Sequence, residues 1–202
     1  MSELFSIQLQ NRQQQGRDGV WLDLPTTTEQ VQAALRQIGI SSDNPQGLFI
    51  SGYFAEEEKR FAIPYNMVLA SNVDALNFLA AQLETLSAGE RAELNAALQA
   101  PQSELFSIGR ITDFPENVDY YVYLPDVHGP AQLGDYYLNR SGMVDMPEEW
   151  KGGIDTAQFG RYVAQQEQGV FTEYGYLVKS GDEWQKVHEG QPVPEEYRVL
   201  SF

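Results

Sequence analysis

Apolar and polar residues alternate from the start of the chain, with Leu4, Ile7 and Leu9 opening a stretch that predicts a β-strand. Val20-Trp21-Leu22-Asp23-Leu24 repeats the alternation, and Gly16-Arg17-Asp18-Gly19 between the two has turn chemistry, so the pair reads as a hairpin ended by Pro25. Thr26 and Glu29 then form a capping box, in which the threonine oxygen takes a free amide and the glutamate reaches back. Val31, Leu35 and Ile38 come next at helical spacing, and Gly39 fits the helix end. Gly47 to Phe54 predicts a third strand. A polar turn, Glu56-Glu57-Glu58-Lys59-Arg60, leads to a short strand expected over Phe61 to Ile63.

The period changes over residues 71–99. Val73, Leu76, Ala80, Leu83 and Leu86 form a helical stripe behind Ser71 and its partner Asp74. Ser87 and Glu90 repeat the start signal, and Leu94, Ala97 and Leu98 continue the stripe of a second helix. Beyond this pair, Leu105 to Ile111 and Tyr120 to Leu124 predict strands, and Pro125 ends the second much as Pro25 ends the earlier one. Pro130 starts a helix through Leu133, Tyr137 and Arg140, closed by Gly142. Pro147 starts a short one, with Glu148 and Glu149 in its first turn, where the helix dipole favours them. Asp155 caps a third, succeeded by one strand from Val170 to Lys179 and two short closing strands at 184–187 and 197–202.

The hexapeptide Ser-Glu-Leu-Phe-Ser-Ile stands at 2–7 and again at 103–108. After both copies the order strand, strand, proline, helix recurs. Duplication and convergence on one strand pattern both account for it. The expected fold class is α+β, with two sheet-and-helix units flanking a helical middle. The corresponding domain boundaries are 1–65, 66–101 and 102–202.

Composition changes the picture in one respect. The 202 residues carry 29 Asp and Glu against 13 Lys and Arg, a formal net charge of -16, with no cysteine and two histidines. The absence of cysteine removes thiol nucleophiles, disulfides and zinc–thiolate sites. His128 and His188 lack metal-ligand spacing, and His128 beside Asp126 reads as an ordinary loop histidine. No glycine loop has the pattern that cradles phosphate. No metal or other cofactor is expected. Basic residues never cluster beyond two in a row, so direct nucleic-acid binding is disfavoured. No apolar stretch reaches the length of a membrane span, and Met1-Ser2-Glu3 does not open a signal peptide, so a cytoplasmic protein is the expectation.

The charge excess itself is spread over both halves and is heavier in the second. Such a surface attracts a basic partner. Duplex DNA carries one charge per about 1.7 Å, so a net sixteen matches about 27 Å of duplex, and two chains about 54 Å. A surface imitating DNA therefore calls for a dimer or an elongated shape. An acidic interaction module for another basic protein is a second reading. A hydrolase with paired carboxylates is a third, since such pairs are built in space rather than in sequence.

Four stretches carry a resemblance: "GVWLDLP" at 19–25, "LNFLAAQLETLSAGERAELNAALQA" at 76–100, "MPEEWKGGIDTAQFGR" at 146–161 and "GVFTEYGYLV" at 169–178. In this order the sequence resembles the ArdA antirestriction proteins. The resemblance implies an elongated, dimeric protein of three small α+β subdomains. It implies a mimic of bent B-form DNA that occupies the DNA cleft of type I restriction–modification enzymes and is not itself an enzyme. The carboxylates expected to stand in for phosphates lie in the more acidic half: Asp113, Glu116, Asp119, Asp126, Asp135, Asp145, Glu148, Glu149, Glu167 and Glu173. Asp155 is assigned to helix capping, and Trp21, Phe159 and Gly160 to packing. Residues 180–202 extend beyond the resemblance.

Overall fold

A computed structural model describes residues 4–14, 18–41, 43–56, 61–101 and 103–200. The fold is mixed α+β with two three-stranded antiparallel sheets. The chain divides into two compact units, one of 1–87, 105–116 and 185–202, the other of 88–104 and 117–184.

In the first unit β1 (Phe5–Asn11) lies between β2 (Val20–Leu24) and β3 (Leu48–Phe54). Phe5, Ile7 and Leu9 point inward with Leu22, Leu24 and Ile50, while Ser6, Gln8 and Gln10 lie on the outer face. Gly16 and Arg17 of the turn expected at 16–19 lie outside the described residues. α1 (Thr28–Gln37) is capped by Thr27 and Gln30, one residue later than the expected Thr26 and Glu29. Thr26 gives its backbone N–H to the Asn77 side chain at 2.7 Å, and its hydroxyl donates to the Gln30 side chain at 2.9 Å. The strand expected over 61–63 is absent. Phe61 and Ile63 are buried without strand pairing and lead into α2 (Tyr65–Leu69). α3 (Val73–Glu84) buries the expected stripe, but Asn72 rather than Ser71 caps it, accepting from the Ala75 N–H at 2.8 Å.

The strand expected over 105–111 is absent: 105–107 lead without regular structure into a helix, α5 (Ile108–Thr112), because Ile108 and Ile111 recur at helical and not strand spacing. The chain end returns to this unit. Asp74 accepts the N–H groups of Val199 and Leu200, each at 2.8 Å, and Tyr197 lies 4.7 Å from the ring of Phe78. The described part of the tail contains no strand, only a short 3-10 turn at Glu195–Tyr197, since the Asp74 and Asp113 side chains and local turn carbonyls rather than a neighbouring strand accept from its amides.

In the second unit α4 (Ala88–Gln99) packs against the sheet of β4 (Tyr121–Leu124), β6 (Gly175–Lys179) and β5 (Val170–Thr172), in that order across the sheet. The expected single strand over 170–179 is thus a hairpin, reversed before Gly175, whose φ of 139° suits glycine alone. α6 (Pro130–Asp135) continues as a π-helical stretch over Tyr136–Arg140, and α7 (Glu148–Lys151) comes after Pro147. α8 (Thr156–Glu167) starts at Asp155, which accepts the Gln158 N–H at 3.0 Å as expected. Gly134 and Gly160 let α6 and α8 touch backbone to backbone. A Cβ on Gly160 would stand 1.8 Å from the Pro130 carbonyl oxygen, and one on Gly134 1.9 Å from that of Thr156. Val127, Leu133, Ala164 and Tyr176 form the core beneath.

The two units differ from the three-part division expected at 1–65, 66–101 and 102–202. α3 packs on β2 and α5 in the first unit, and α4 on β6 in the second. No helix among the described residues is long and apolar enough to cross a membrane.

Candidate functional site

The second unit holds 14 Asp and Glu against 5 Lys and Arg, a net charge of -9. Which of these carboxylates face solvent depends on the local chain. Asp119 sits late in the 3-10 stretch Phe114–Tyr120, Asp126 just after β4, and Asp145 on the approach to α7; all three are exposed. Glu148 and Glu149 occupy the first turn of α7, also exposed, and Glu148 holds Lys151 at 2.9 Å. Glu173 is exposed at the tip of the β5–β6 hairpin and accepts from the Gln99 amide.

Two expected residues of this unit are committed to local structure. Asp135 is half-buried, pairs with Arg140 at 3.4 Å and accepts from Asn139 at 2.8 Å. Glu167, at the end of α8, receives the Tyr137 hydroxyl at 2.5 Å and the Tyr176 hydroxyl at 3.0 Å, one on each oxygen. Burial, together with the Glu167 carboxylate, pushes both phenols well above the usual tyrosine range. Glu167 ties α8 to α6's continuation and to β6, so it joins fixed parts of the fold rather than lining an open surface.

In the first unit, Glu116 is exposed. Asp113 is a correction to the expected surface, for it is fully buried. Its two oxygens accept the backbone N–H groups of His188 at 2.5 Å and Glu189 at 3.3 Å, so it anchors the returning chain end. Apolar neighbours on both sides, Ile111 and Phe114, are the sequence signal for this burial. Trp21, expected in packing, is half exposed on the outer face of its sheet. His128 is exposed, and its backbone N–H donates to the Gln132 side chain at 2.7 Å.

Sequence reasoning passed over Glu93. This residue flanks the buried stripe of α4 beside Leu94, and its Oε1 is buried with no hydrogen-bond partner. Burial first, then repulsion from Glu90 and Asp119, pushes its carboxyl up to about 8. Glu93 and Asp126 in turn add to the burial that raises Tyr123. Glu93 thus sits half-buried beside Glu90 and Asp119, and its burial is the main reason its carboxyl is raised. The signal available was the spacing of Glu90 and Glu93, which places both on one side of a helix whose next residues face inward.

Chemically, this set can offer fixed negative charge and hydrogen-bond acceptors. Among the described residues no group of three His, Cys, Asp or Glu could hold a metal ion. A cavity of about 130 Å³ in the second unit is lined by Tyr121, Leu177, Lys179 and Glu167, the last with its carboxylate already taken by two phenols. No individually characterised relative matches the chain. The sequence model of the antirestriction protein (ArdA) family matches residues 15–178, which takes in both sheets apart from the first strand and the end of the last, and the chain belongs to that family.

Proposed function

We propose that this protein inhibits type I restriction–modification enzymes by occupying their DNA-binding cleft, with carboxylates where the DNA would place phosphates. Membership of the antirestriction family supports the target, and the net charge of -9 on the second unit supports the mechanism. The observation that carries the reading is the set of exposed carboxylates Asp119, Asp126, Asp145, Glu148, Glu149 and Glu173. Arginine and lysine groups that bind phosphates pair with carboxylates through the same charge-assisted hydrogen bonds. The inhibitor needs no cofactor, performs no chemistry, acts in the cytoplasm and works as a homodimer, since one chain matches too short a length of duplex. Asp113, Asp135 and Glu167 are excluded from the contact set by their structural roles.

The test is cleavage of unmodified plasmid by type I enzymes of several families with increasing amounts of the protein. Inhibition that weakens with added salt is expected, because exposed charges are screened. Full cleavage by every enzyme at large molar excess would overturn the proposal and favour a different basic partner.

A further inference from the structure

We propose that the outer face of the β2–β1–β3 sheet is a seat for an arginine side chain of a partner protein. Strand register sets two adjacent rows across this face: Asp23, Ser6 and Phe54 in one, Trp21, Gln8 and Gly52 in the next. Trp21 is 50% exposed and Phe54 58% exposed, and their ring centres lie 6.4 Å apart at 74°. The indole reaches across β1 to lie over Gly52, where an added Cβ would stand 3.0 Å from the ring and 3.1 Å from Gln8. Glycine at that point leaves room for the edge of the indole, and half of Trp21 stays exposed.

Asp23 completes the seat. It is exposed, points to the same face as Trp21 two residues earlier, and is held by the Ser6 hydroxyl at 2.6 Å. Two rings and an oriented carboxylate side by side suit a planar guanidinium, which stacks on aromatic faces while its fork binds a carboxylate. The same face holds one guanidinium already: Arg12 lies 5.3 Å from the centre of Phe49, which pairs across the strands with Gln10. The ligand's sign comes from charge complementarity. The unit carries 15 acidic against 8 basic residues, a net charge of -7, which repels phosphate-bearing ligands and attracts a basic segment. Lysine fits less well, because its compact, strongly hydrated ammonium neither stacks nor forks. This seat rests on none of the antirestriction reading; an arginine from a restriction enzyme or from another protein would occupy it equally.

The indole N–H signals of the three tryptophans in the full-length protein provide the test, with Trp21 assigned through Trp21→Phe. Blocked peptides alternating glycine with arginine, with lysine or with citrulline are titrated in turn. The arginine peptide is expected to move the Trp21 signal, the lysine peptide to move it at higher concentration, and the uncharged citrulline peptide to leave it in place. Phe54→Ala and Asp23→Asn are each expected to weaken arginine binding about two- to fivefold, with the β1 and β3 amide signals unchanged. Equal responses to arginine and citrulline, or movement confined to the Trp150 and Trp184 signals, would overturn the seat. Broadening of Trp21 with protein concentration alone would overturn it too, assigning the face to a second copy of the chain. Full plasmid cleavage in the restriction assay would leave this result standing, and failure here would leave that assay untouched.

Discussion

Leu4-Phe5-Ser6-Ile7 and Leu105-Phe106-Ser107-Ile108 are the same four residues in two different structures. The first copy opens β1, and Gln8, Leu9 and Gln10 continue its alternation. The second is an extended approach to α5, since the next buried apolar residue after Ile108 is Ile111, three positions on. Both leucines are 2% exposed, yet Phe5 is 2% exposed and Phe106 62%. Phe5 meets Tyr53 edge to face with ring centres 5.4 Å apart, whereas Phe106 carries the Arg110 guanidinium 4.8 Å above its ring. The residues C-terminal to each copy account for the difference. A short apolar segment has no period of its own, and the residues after Ile7 and Ile108 supply period 2 in one case and 3.6 in the other.

The largest effect expected from this contrast is at the phenylalanines. Phe5→Ala removes a buried ring and should cost about 3–5 kcal/mol of stability. Phe106→Ala removes an exposed ring and its cation contact, about 1 kcal/mol or less. Urea unfolding of the two variants measures both, and losses of equal size would break the contrast.

The same dependence on neighbours explains what was legible in the sequence. β1, β2, α1, β3, α3, α4, α7 and α8 carry long periodic stripes or strong start signals, and they stand within a residue or two of where pattern and caps place them. Phe61 and Ile63 are apolar at alternate positions, but burial alone met their need and no strand pairs with them. Residues 170–179 read as one strand because Glu173, Tyr174 and Gly175 lack a strong turn dipeptide, and only the positive φ at Gly175 reveals the reversal. At the candidate site the charge density was legible while the fate of each carboxylate was not. Asp113 and Glu116 lie three residues apart, one buried under the returning chain end and the other open to solvent. That chain end joins Asp113 from 75 residues away, a separation no local pattern encodes.

Glu90 and Glu93 offer a second matched pair, one residue type on one helix. Below pH 4.5 Glu93 is protonated in folded and unfolded chains alike. As pH rises from 4.5 to about 8, the unfolded chain releases that proton while the folded one retains it, so stability falls through that window and stays lower above it. Glu93→Gln removes this loss. With allowance for solvent screening of a carboxyl that is only partly buried, a gain of about 1–2 kcal/mol at pH 8 is expected. Little change is expected at pH 4. Glu90→Gln should leave most of the pH slope in place. Unfolding midpoints from pH 4 to 9 decide this, and an unchanged slope in Glu93→Gln would show that Glu93 ionises as an ordinary surface carboxyl.

The smallest effect separates the serines. Ser6 and Ser107 both sit in extended backbone, the latter at φ −147° and ψ 158°, so backbone conformation does not distinguish them. Their hydroxyls do. Ser107 accepts the Arg110 N–H at 3.2 Å, satisfying one of the free amides at the start of α5, while Ser6 donates to an exposed carboxylate, Asp23. Ser107→Ala leaves a helix start uncapped in a half-buried position, an expected cost of about 1 kcal/mol. Ser6→Ala loses a solvent-exposed hydrogen bond, so about 0.5 kcal/mol or less is expected. Hydrogen exchange makes the distinction local: Ser107→Ala should speed exchange at Arg110 and leave β1 unchanged. Faster exchange in β1 from Ser6→Ala, with Arg110 unaffected by Ser107→Ala, would mean that the serine of the repeat works as a strand residue in both places.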